Sequence, residues 1–468
     1  MSMGLPPLQG APIGVVGAGA TGRAVARALF EIGARPIVVD TRPADAAPEG
    51  AVEGLSAVAA ELHWGDPEAL GRTSLVVISP GVAIGGPFLA PARAAGVEII
   101  GEVELAYRLR PDAILVGITG TNGKSTTTAL TGAMLEASGV TCQVCGNIGT
   151  PLITYMLSRA EDAVLVVELS SFQLESCSRL RVRSAALLNL SDDHRDRHPT
   201  PGEYLAAKSR IFGNQTAGDV AVLGADCRET RRLGDSLDPS RLMWFSALDR
   251  AVPGAYCEDG SLVLALPGQG PRAILRVEEM ALQGAHNVRN ACAAMCLASS
   301  RGATPEGMAE ALRHFAAARH TFEVVGSAAG AVWVNDSKGT NVDSTLRALE
   351  SCTGPVILIA GGSEKEADYR PLGPVMAARC KALVTLGETG PTIAAVGREA
   401  GLEEIHAAES MPEAVRIAAS FACPGDWVLL SPASASFGLF RNYAHRGQCF
   451  VEAVHELEGF TPAGSGGV

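Results

Sequence analysis

The chain has 468 residues, 47% hydrophobic and 19% charged, a globular composition with room for about three domains. Its net charge of −12 excludes a basic stripe for duplex nucleic acid, but local lysines and arginines can still hold acidic small molecules. No apolar run approaches a membrane span, and the opening MSMGLPPLQGAP lacks the basic and apolar parts of a secretion signal, so a cytoplasmic protein with no membrane partner is expected. The 11 cysteines are odd in number and lie mostly in apolar segments, such as Cys292 and Cys296, as reduced buried thiols would. Cys142 and Cys145 form one C-x-x-C with no second pair for zinc.

The first elements read as a small α/β domain. Ile13 to Val16 is strand-like. Gly17-Ala18-Gly19-Ala20-Thr21-Gly22 then opens a helix to about Ile32, and Pro36 to Val39 is a second strand ending at Asp40. A G-x-G-x-x-G with an acid at the next strand's end is a dinucleotide fingerprint, and NAD is its first reading. No nicotinamide chemistry follows, however, and the glycines only let phosphate approach a helix start, so other nucleotides fit equally. Leu75 to Ile78 runs into the turn Ser79-Pro80-Gly81, and Val97 to Ile100 closes the domain.

A second nucleotide loop follows. Ala113 to Ile118 is an apolar strand, Thr119 to Lys124 a Gly-bearing turn, and Ser125 to Ser138 a helix. Free N–H groups of a first helical turn and the helix dipole make an anion cradle. Gly120 and Gly123 permit close approach, Lys124 supplies charge for outer phosphates, and the Ser125 hydroxyl can ligate Mg²⁺. The strict phosphate loop wants a glycine where Ile118 stands, and a helix-capping turn is the plain alternative.

Further strand ends carry polar clusters. Gly146-Asn147-Ile148-Gly149 is a turn before a helix around Leu152 to Leu157. Val164 to Leu169 is a buried strand in which Glu168 needs a partner. Ala186 to Leu190 leads into Ser191-Asp192-Asp193-His194-Arg195-Asp196-Arg197-His198. Alone, that stretch is a charged loop; three such clusters at successive strand ends suggest a ligand. Lys208 alone reads as a surface helix residue. Val220 to Leu223 and Leu242 to Phe245 are strands, Gly260 to Pro267 suggests a hairpin, and Gly284 to Asn290 enters an Ala-rich helix. Asn287 and Asn290 share one helical face, where capping is the plain reading of Asn287. Strands at Val332 to Val334, Val356 to Ala360, Ala382 to Leu386 and Trp427 to Leu430 alternate with helices in a last, mostly parallel domain.

The string Thr119-Gly120-Thr121-Asn122-Gly123-Lys124-Ser125-Thr126 resembles the ATP loop of the Mur ligase family, amide-forming ligases of peptidoglycan precursor synthesis. Asp40-Thr41-Arg42, Ser79-Pro80-Gly81, the Glu168 and His194 clusters, Asn335-Asp336-Ser337-Lys338-Gly339-Thr340-Asn341, Gly361-Gly362 and Ser431-Pro432-Ala433-Ser434-Ala435-Ser436 extend the resemblance across all three domains. They are most similar to its glutamate-adding members. The implied architecture is α/β in three domains. A Rossmann-like UDP-substrate domain spans 1–101, a central parallel-sheet ATP domain of phosphate-loop type spans 102–317, and a Rossmann-like glutamate domain spans 318–468.

The resemblance implies ATP contacts at Gly120, Thr121, Asn122, Gly123, Lys124, Ser125, Thr126, Asn287, Asn290 and Asp336. It implies UDP-substrate contacts at Ala20, Thr21, Asp40, Thr41, Arg42, Ser79, Gly81 and Asn147, and glutamate contacts at Lys338, Thr340, Lys365, Ser436 and Tyr443. Ser125, Glu168, His194 and a carbamylated Lys208 would hold Mg²⁺, and Lys124, Asn147, Glu168, His194 and Lys208 would form the catalytic set. The expected reaction adds D-glutamate to UDP-N-acetylmuramoyl-L-alanine through an acyl phosphate, by a monomer needing ATP and Mg²⁺. Thr321 stands where the family usually has an arginine, Glu364 where Asp or Gly is usual and Tyr443 where Phe is common, and Phe437-Gly438-Leu439 is unusual. Thr321 and this run leave an L-glutamate variant open. An NAD-dependent oxidoreductase rests only on residues 17–22 and Asp40; a folylpolyglutamate synthase would lack the UDP-type first domain; a non-catalytic nucleotide-binding regulator is a third alternative.

Overall fold

The computed structural model describes residues 4–47, 51–59, 61–156, 163–191, 193–195, 197–282, 284–316, 319–364, 367–436 and 438–463. The chain forms two compact units, Met1–Leu190 with Pro201–His314, and Ser191–Thr200 with Phe315–Val468. The loop carrying His194 therefore belongs to the second unit.

The first unit holds two sheets. In the first, β1 (Pro12–Val16), β2 (Arg35–Asp40), β3 (Glu61–Trp64), β4 (Leu75–Ile78) and β5 (Ile99–Gly101) run parallel in the order β3-β2-β1-β4-β5. The order reverses between β1 and β4, so the Gly17 turn and the Ser79 turn meet at one crest, where ligands of open α/β sheets bind. β3, absent from the sequence reading, is a four-residue strand with no fully buried residue, too short and polar for a period-2 signal.

The second sheet comprises β6 (Ile114–Thr119), β7 (Cys142–Gly146), β8 (Val164–Glu168), β9 (Ser184–Leu187), β10 (Val220–Gly224), β11 (Leu242–Ser246), β12 (Gly254–Glu258), β13 (Ser261–Ala265) and β14 (Arg272–Arg276). Its order is β14-β13-β12-β11-β10-β9-β6-β8-β7, parallel except where β13 meets its two neighbours. The hairpin expected at Gly260 to Pro267 is present, since β13 pairs antiparallel with both neighbours; β12 turns into it at Asp259 and Gly260, both at positive φ (50° and 70°), as a two-residue turn of the mirror type requires. β6 sits between β8 and β9, another reversal, with its phosphate-type loop at the crest. Apolar residues of both sheets, including Val15, Val38, Val77 and Leu187, share one core with Leu105 and Leu152 from the connecting segments.

The second unit is built on β15 (Glu323–Ala328), β16 (Ala331–Asn335), β17 (Val356–Ala360), β18 (Cys380–Leu386), β19 (Ile405–Ala408), β20 (Trp427–Leu430) and β21 (Thr461–Pro462). The order is β19-β18-β17-β20-β16-β15-β21, with only β15 antiparallel to its neighbours. β20 inserts between β16 and β17, so three loops converge at their carboxyl ends. Among the described residues no helix is long and apolar enough to cross a membrane.

Candidate active site

The loop after β6 is shaped by two glycines. Gly120 has φ 153° and Gly123 φ 82°, and the helix Lys124–Ala137 starts directly after Gly123 with no side-chain cap. A Cβ on Gly123 would stand 2.3 Å from Asn290 Oδ1, so packing as well as φ demands glycine there. Asn290 thus leans over the loop from the helix Ala285–Ser299, and its Nδ2 donates to Asn287 Oδ1 at 3.3 Å. Ser125 and Thr126 lie in the first turn of Lys124–Ala137, where N–H groups lack intrahelical partners.

Two lysines meet at one carbonyl. Lys124 Nζ donates to Gly120 O (2.9 Å) and Thr121 O (2.7 Å), while Lys208 Nζ donates to Gly120 O (2.8 Å). Lys208 is 1% exposed and its Nζ stands 4.4 Å from the Tyr204 ring centroid. This corrects the reading of Lys208 as a surface residue. Tyr204, Ala207 and Lys208 lie at helical spacing on the buried face of Pro201–Ser209, and the amine finds its acceptor inside.

Asn189 was missed by sequence reasoning. Its Oδ1 accepts from Asn122 N (2.9 Å), its Nδ2 donates to Asn122 O (3.0 Å), and its carbonyl accepts from Thr121 N (3.1 Å). The strand expected to reach Leu190 ends instead at Leu187, because Asn189 leaves the sheet to hold the loop. An asparagine just past an apolar strand was the only available signal.

Glu168 ends β8 opposite Ile118 of β6. It is 2% exposed; its Oε1 accepts from Asn147 Nδ2 at 3.0 Å, and its Oε2 is buried with no hydrogen-bond partner. An orphaned buried carboxylate oxygen suits a cation. Among the described residues no three His, Cys, Asp or Glu side chains group as a metal site, so a divalent ion would also need phosphate oxygens or a modified lysine. Ser170 and Gln173 form a reciprocal capping box, which accounts for two residues of that cluster structurally. Cys142 and Cys145 are free and buried, their thiols pushed up by burial to about 11 and about 12.

At the crest of the first sheet, Asp40 is almost fully buried. It accepts from Ala18 N (2.7 Å) and Arg42 N (3.0 Å) and is gripped by the Arg42 guanidinium at 2.8 Å through both oxygens. The bonds from Arg42 hold its carboxyl at about 2 against the opposing effect of burial. With both oxygens committed, Asp40 does not offer the free acceptor that a dinucleotide ribose would seek. Arg42 remains 45% exposed, so its outer edge can meet an anion. Ser79 Oγ is buried without a hydrogen-bond partner and lies 2.7 Å from the Cβ position of Gly17; Gly19 and Gly81 face open space. Ala20 and Thr21 open the helix Ala20–Glu31, and Thr41 is exposed between Asp40 and Arg42.

In the second unit, Asp336 is buried. It accepts from Ser431 Oγ (2.8 Å) and Phe322 N (3.1 Å), and burial pushes it up to about 7. Lys338 Nζ stands 6.0 Å from the ring centroid of Tyr443, which begins the helix Tyr443–His455, and Ser436 is buried nearby in sequence. Asp193 accepts from His194 N (2.9 Å) and from Asn341 Nδ2 (3.0 Å), while Asn341 Oδ1 caps the helix Val342–Ser351 through Ser344 N. His194 itself sits at φ 56°. A cavity of about 210 Å³ is lined by Asp193, His194, Thr340 and Asn341 over Val342 and Leu346. Lys365, Phe437, Asp192 and Asp196 lie outside the described residues.

Three domain families match in chain order. The Mur ligase MurD-like N-terminal domain matches residues 11–101, the Mur ligase middle domain 118–298, and the Mur ligase glutamate ligase domain 320–434. The chain belongs to the Mur ligase family. It is 41% identical over 449 residues (95% of this chain, 97% of the relative) to the UDP-N-acetylmuramoylalanine–D-glutamate ligase of Pelotomaculum thermopropionicum. To the enzymes of the same name from Anaeromyxobacter dehalogenans and Clostridioides difficile it is 43% and 36% identical, over 97% and 96% of this chain and 99% and 100% of theirs. Solved structures share the fold at low identity. UDP-N-acetylmuramate–alanine ligase MurC of Thermotoga maritima is 18% identical (TM-score 0.61, 94% of this chain, 98% of that one). MurF ligase of the same organism, in complex with ADP, is 13% identical (TM-score 0.57, 90% and 94%).

Proposed function

We propose that this chain joins D-glutamate to the L-alanine carboxylate of UDP-N-acetylmuramoyl-L-alanine at the expense of ATP, in peptidoglycan precursor synthesis. The observation that carries the reading is the β6 crest, where a glycine-shaped loop, two inward lysines and an orphaned carboxylate oxygen meet. Near full-length relatives carrying that enzyme's name support it. Arg42 would hold the UDP diphosphate, oriented by Asp40, with Ala20, Thr21, Thr41, Ser79 and Gly81 around it. Asn147 would contact the muramoyl part. The loop 120–126 would wrap the ATP phosphates, and Asn287, Asn290 and Asp336 would bind the rest of the nucleotide. Lys338, Thr340, Ser436 and Tyr443, with Lys365, would hold glutamate. The division at 101/102 and 317/318, a cytoplasmic location and a monomer belong to the same proposal.

The chemistry follows from a poor leaving group. The substrate carboxylate oxygen attacks the γ-phosphorus, ADP departs, and an acyl phosphate forms. The glutamate amine then attacks the acyl carbon, loses a proton, and phosphate leaves with the C–O bond. Lys124 trades its loop carbonyls for phosphate oxygens and stabilises the charge in flight. Ser125, Glu168, His194 and a carbamate on Lys208 would hold Mg²⁺, which when bound neutralises the phosphoryl group.

Three substitutions test the assignment. Arg42→Ala should raise KM for the UDP substrate about tenfold or more, with KM for ATP little changed, because it removes a charged hydrogen bond. Steady-state kinetics with either substrate varied read this directly, and the reverse ranking would move UDP out of the first sheet's crest. Glu168→Ala and His194→Ala should each raise the Mg²⁺ concentration needed for half-maximal rate. Unchanged titrations in both would remove them as ligands.

A further inference from the structure

Arg446 has no part in the site as built above, yet among the described residues it is the most enclosed cation of the second unit, at 0% exposure. It reaches from the helix Tyr443–His455 beneath three loops. Nε donates to Ser337 Oγ (3.0 Å), Nη2 to Ser337 O (2.9 Å), and Nη1 to Ser434 O and Ala435 O (3.1 Å each). The same Ala435 carbonyl accepts from Ser363 N at 2.9 Å, and a Cβ on Gly362 would stand 3.0 Å from Nη1. One guanidinium therefore underlies the loops after β16, β17 and β20, where the strand order reverses.

Every acceptor it uses is neutral, and among the described residues no carboxylate pairs with it. The buried carboxylate of this core, Asp336, spends its oxygens on Ser431 and on the Phe322 N–H instead. Asp336 acts on the guanidinium through space but does not bond it; a buried charge bonded to no carboxylate is costly, and neutral donors would tie three loops together at less expense. What a fixed cation adds is a field, strong in a dry interior, that favours an anion nearby.

The bonds lead to the glutamate pocket. Ser337 precedes Lys338, and its Oγ donates to Tyr443 O at 2.8 Å; Ala435 precedes Ser436. We propose that Arg446 is the positioning residue of the amino-acid pocket, fixing Lys338, Ser436 and Tyr443 and supplying the buried positive charge that favours glutamate over its neutral amide. The proposal rests on the ligase reading above.

Arg446→Lys and Arg446→Gln in the full chain test it, by ADP release with glutamate or ATP varied and with glutamine as inhibitor. Arg446→Gln should raise KM for glutamate about a hundredfold while KM for ATP moves less than about twofold. Arg446→Lys, which keeps charge but loses the fork, should recover part of this, at about tenfold. The inhibition constant of glutamine should change less than KM for glutamate in both. KM for glutamate and ATP rising together, or a lowered melting temperature with KM for glutamate unchanged, would overturn the proposal. If Arg446→Gln does not fold, Arg446→Lys decides on the same criteria. Wild-type enzyme without glutamate-dependent ADP release would overturn the ligase reading itself, and the assignment of this pocket with it.

Discussion

Lys124→Ala is expected to lower the rate of glutamate-dependent ADP release by at least about a hundredfold, the scale of losing one preorganised charge at a reacting phosphoryl group. The fold should survive. Lys124 Nζ bonds the loop carbonyls of Gly120 and Thr121, and the helix behind it is set by Gly123 and by the buried Leu130, Met134 and Leu135. Circular dichroism and the melting temperature should match wild type. Lys124→Arg keeps the charge on a planar fork that cannot occupy the same two-carbonyl corner, and should restore little. A Lys124→Ala enzyme keeping more than about a tenth of the wild-type rate would contradict the electrostatic role.

The second large effect concerns Lys208. Lys208→Ala should lose activity and regain part of it with added formate or acetate. The reasoning starts from burial: a 1% exposed amine that bonds Gly120 O lies at the phosphate loop, where its neutral form could take up CO₂. A carbamate there converts a donor to an anionic oxygen ligand of the kind Mg²⁺ prefers. Alanine also leaves a void against Tyr204, so Lys208→Met, which keeps the stem volume, separates chemistry from packing. Both variants should be inactive, and only Lys208→Ala has room for a rescuing carboxylate. Mass analysis of the wild type at raised bicarbonate should show the added carboxyl group. Full activity of Lys208→Ala without rescue would dispose of the idea.

Much of this architecture was legible because buried parallel strands are continuous apolar runs. Val356–Ala360 and Trp427–Leu430 fall where the sequence placed them, with all five and three of four residues buried, respectively. Edge strands such as β3 and β7 carry few buried residues and left no pattern. The site was legible where chemistry sits in one contiguous string, as at 119–126. It was not legible where contacts join distant segments: Asn189 grips Asn122 from 67 positions away, and Arg446 reaches Ser337 from 109. The G-x-G-x-x-G stretch shows a third kind of limit. Its reading as a dinucleotide site turns on Asp40, and only the folded structure reveals that Arg42, two residues on, fills that carboxylate.

The most direct test is ADP release by the wild-type chain with ATP, Mg²⁺ and UDP-N-acetylmuramoyl-L-alanine, adding D-glutamate, L-glutamate or neither under identical conditions. The account predicts release that depends on D-glutamate and matches the amide product mole for mole, with L-glutamate and the glutamate-free control near background. Release that favours L-glutamate would overturn the enantiomer while leaving the ligase chemistry. No glutamate-dependent release with either enantiomer would contradict the account as a whole.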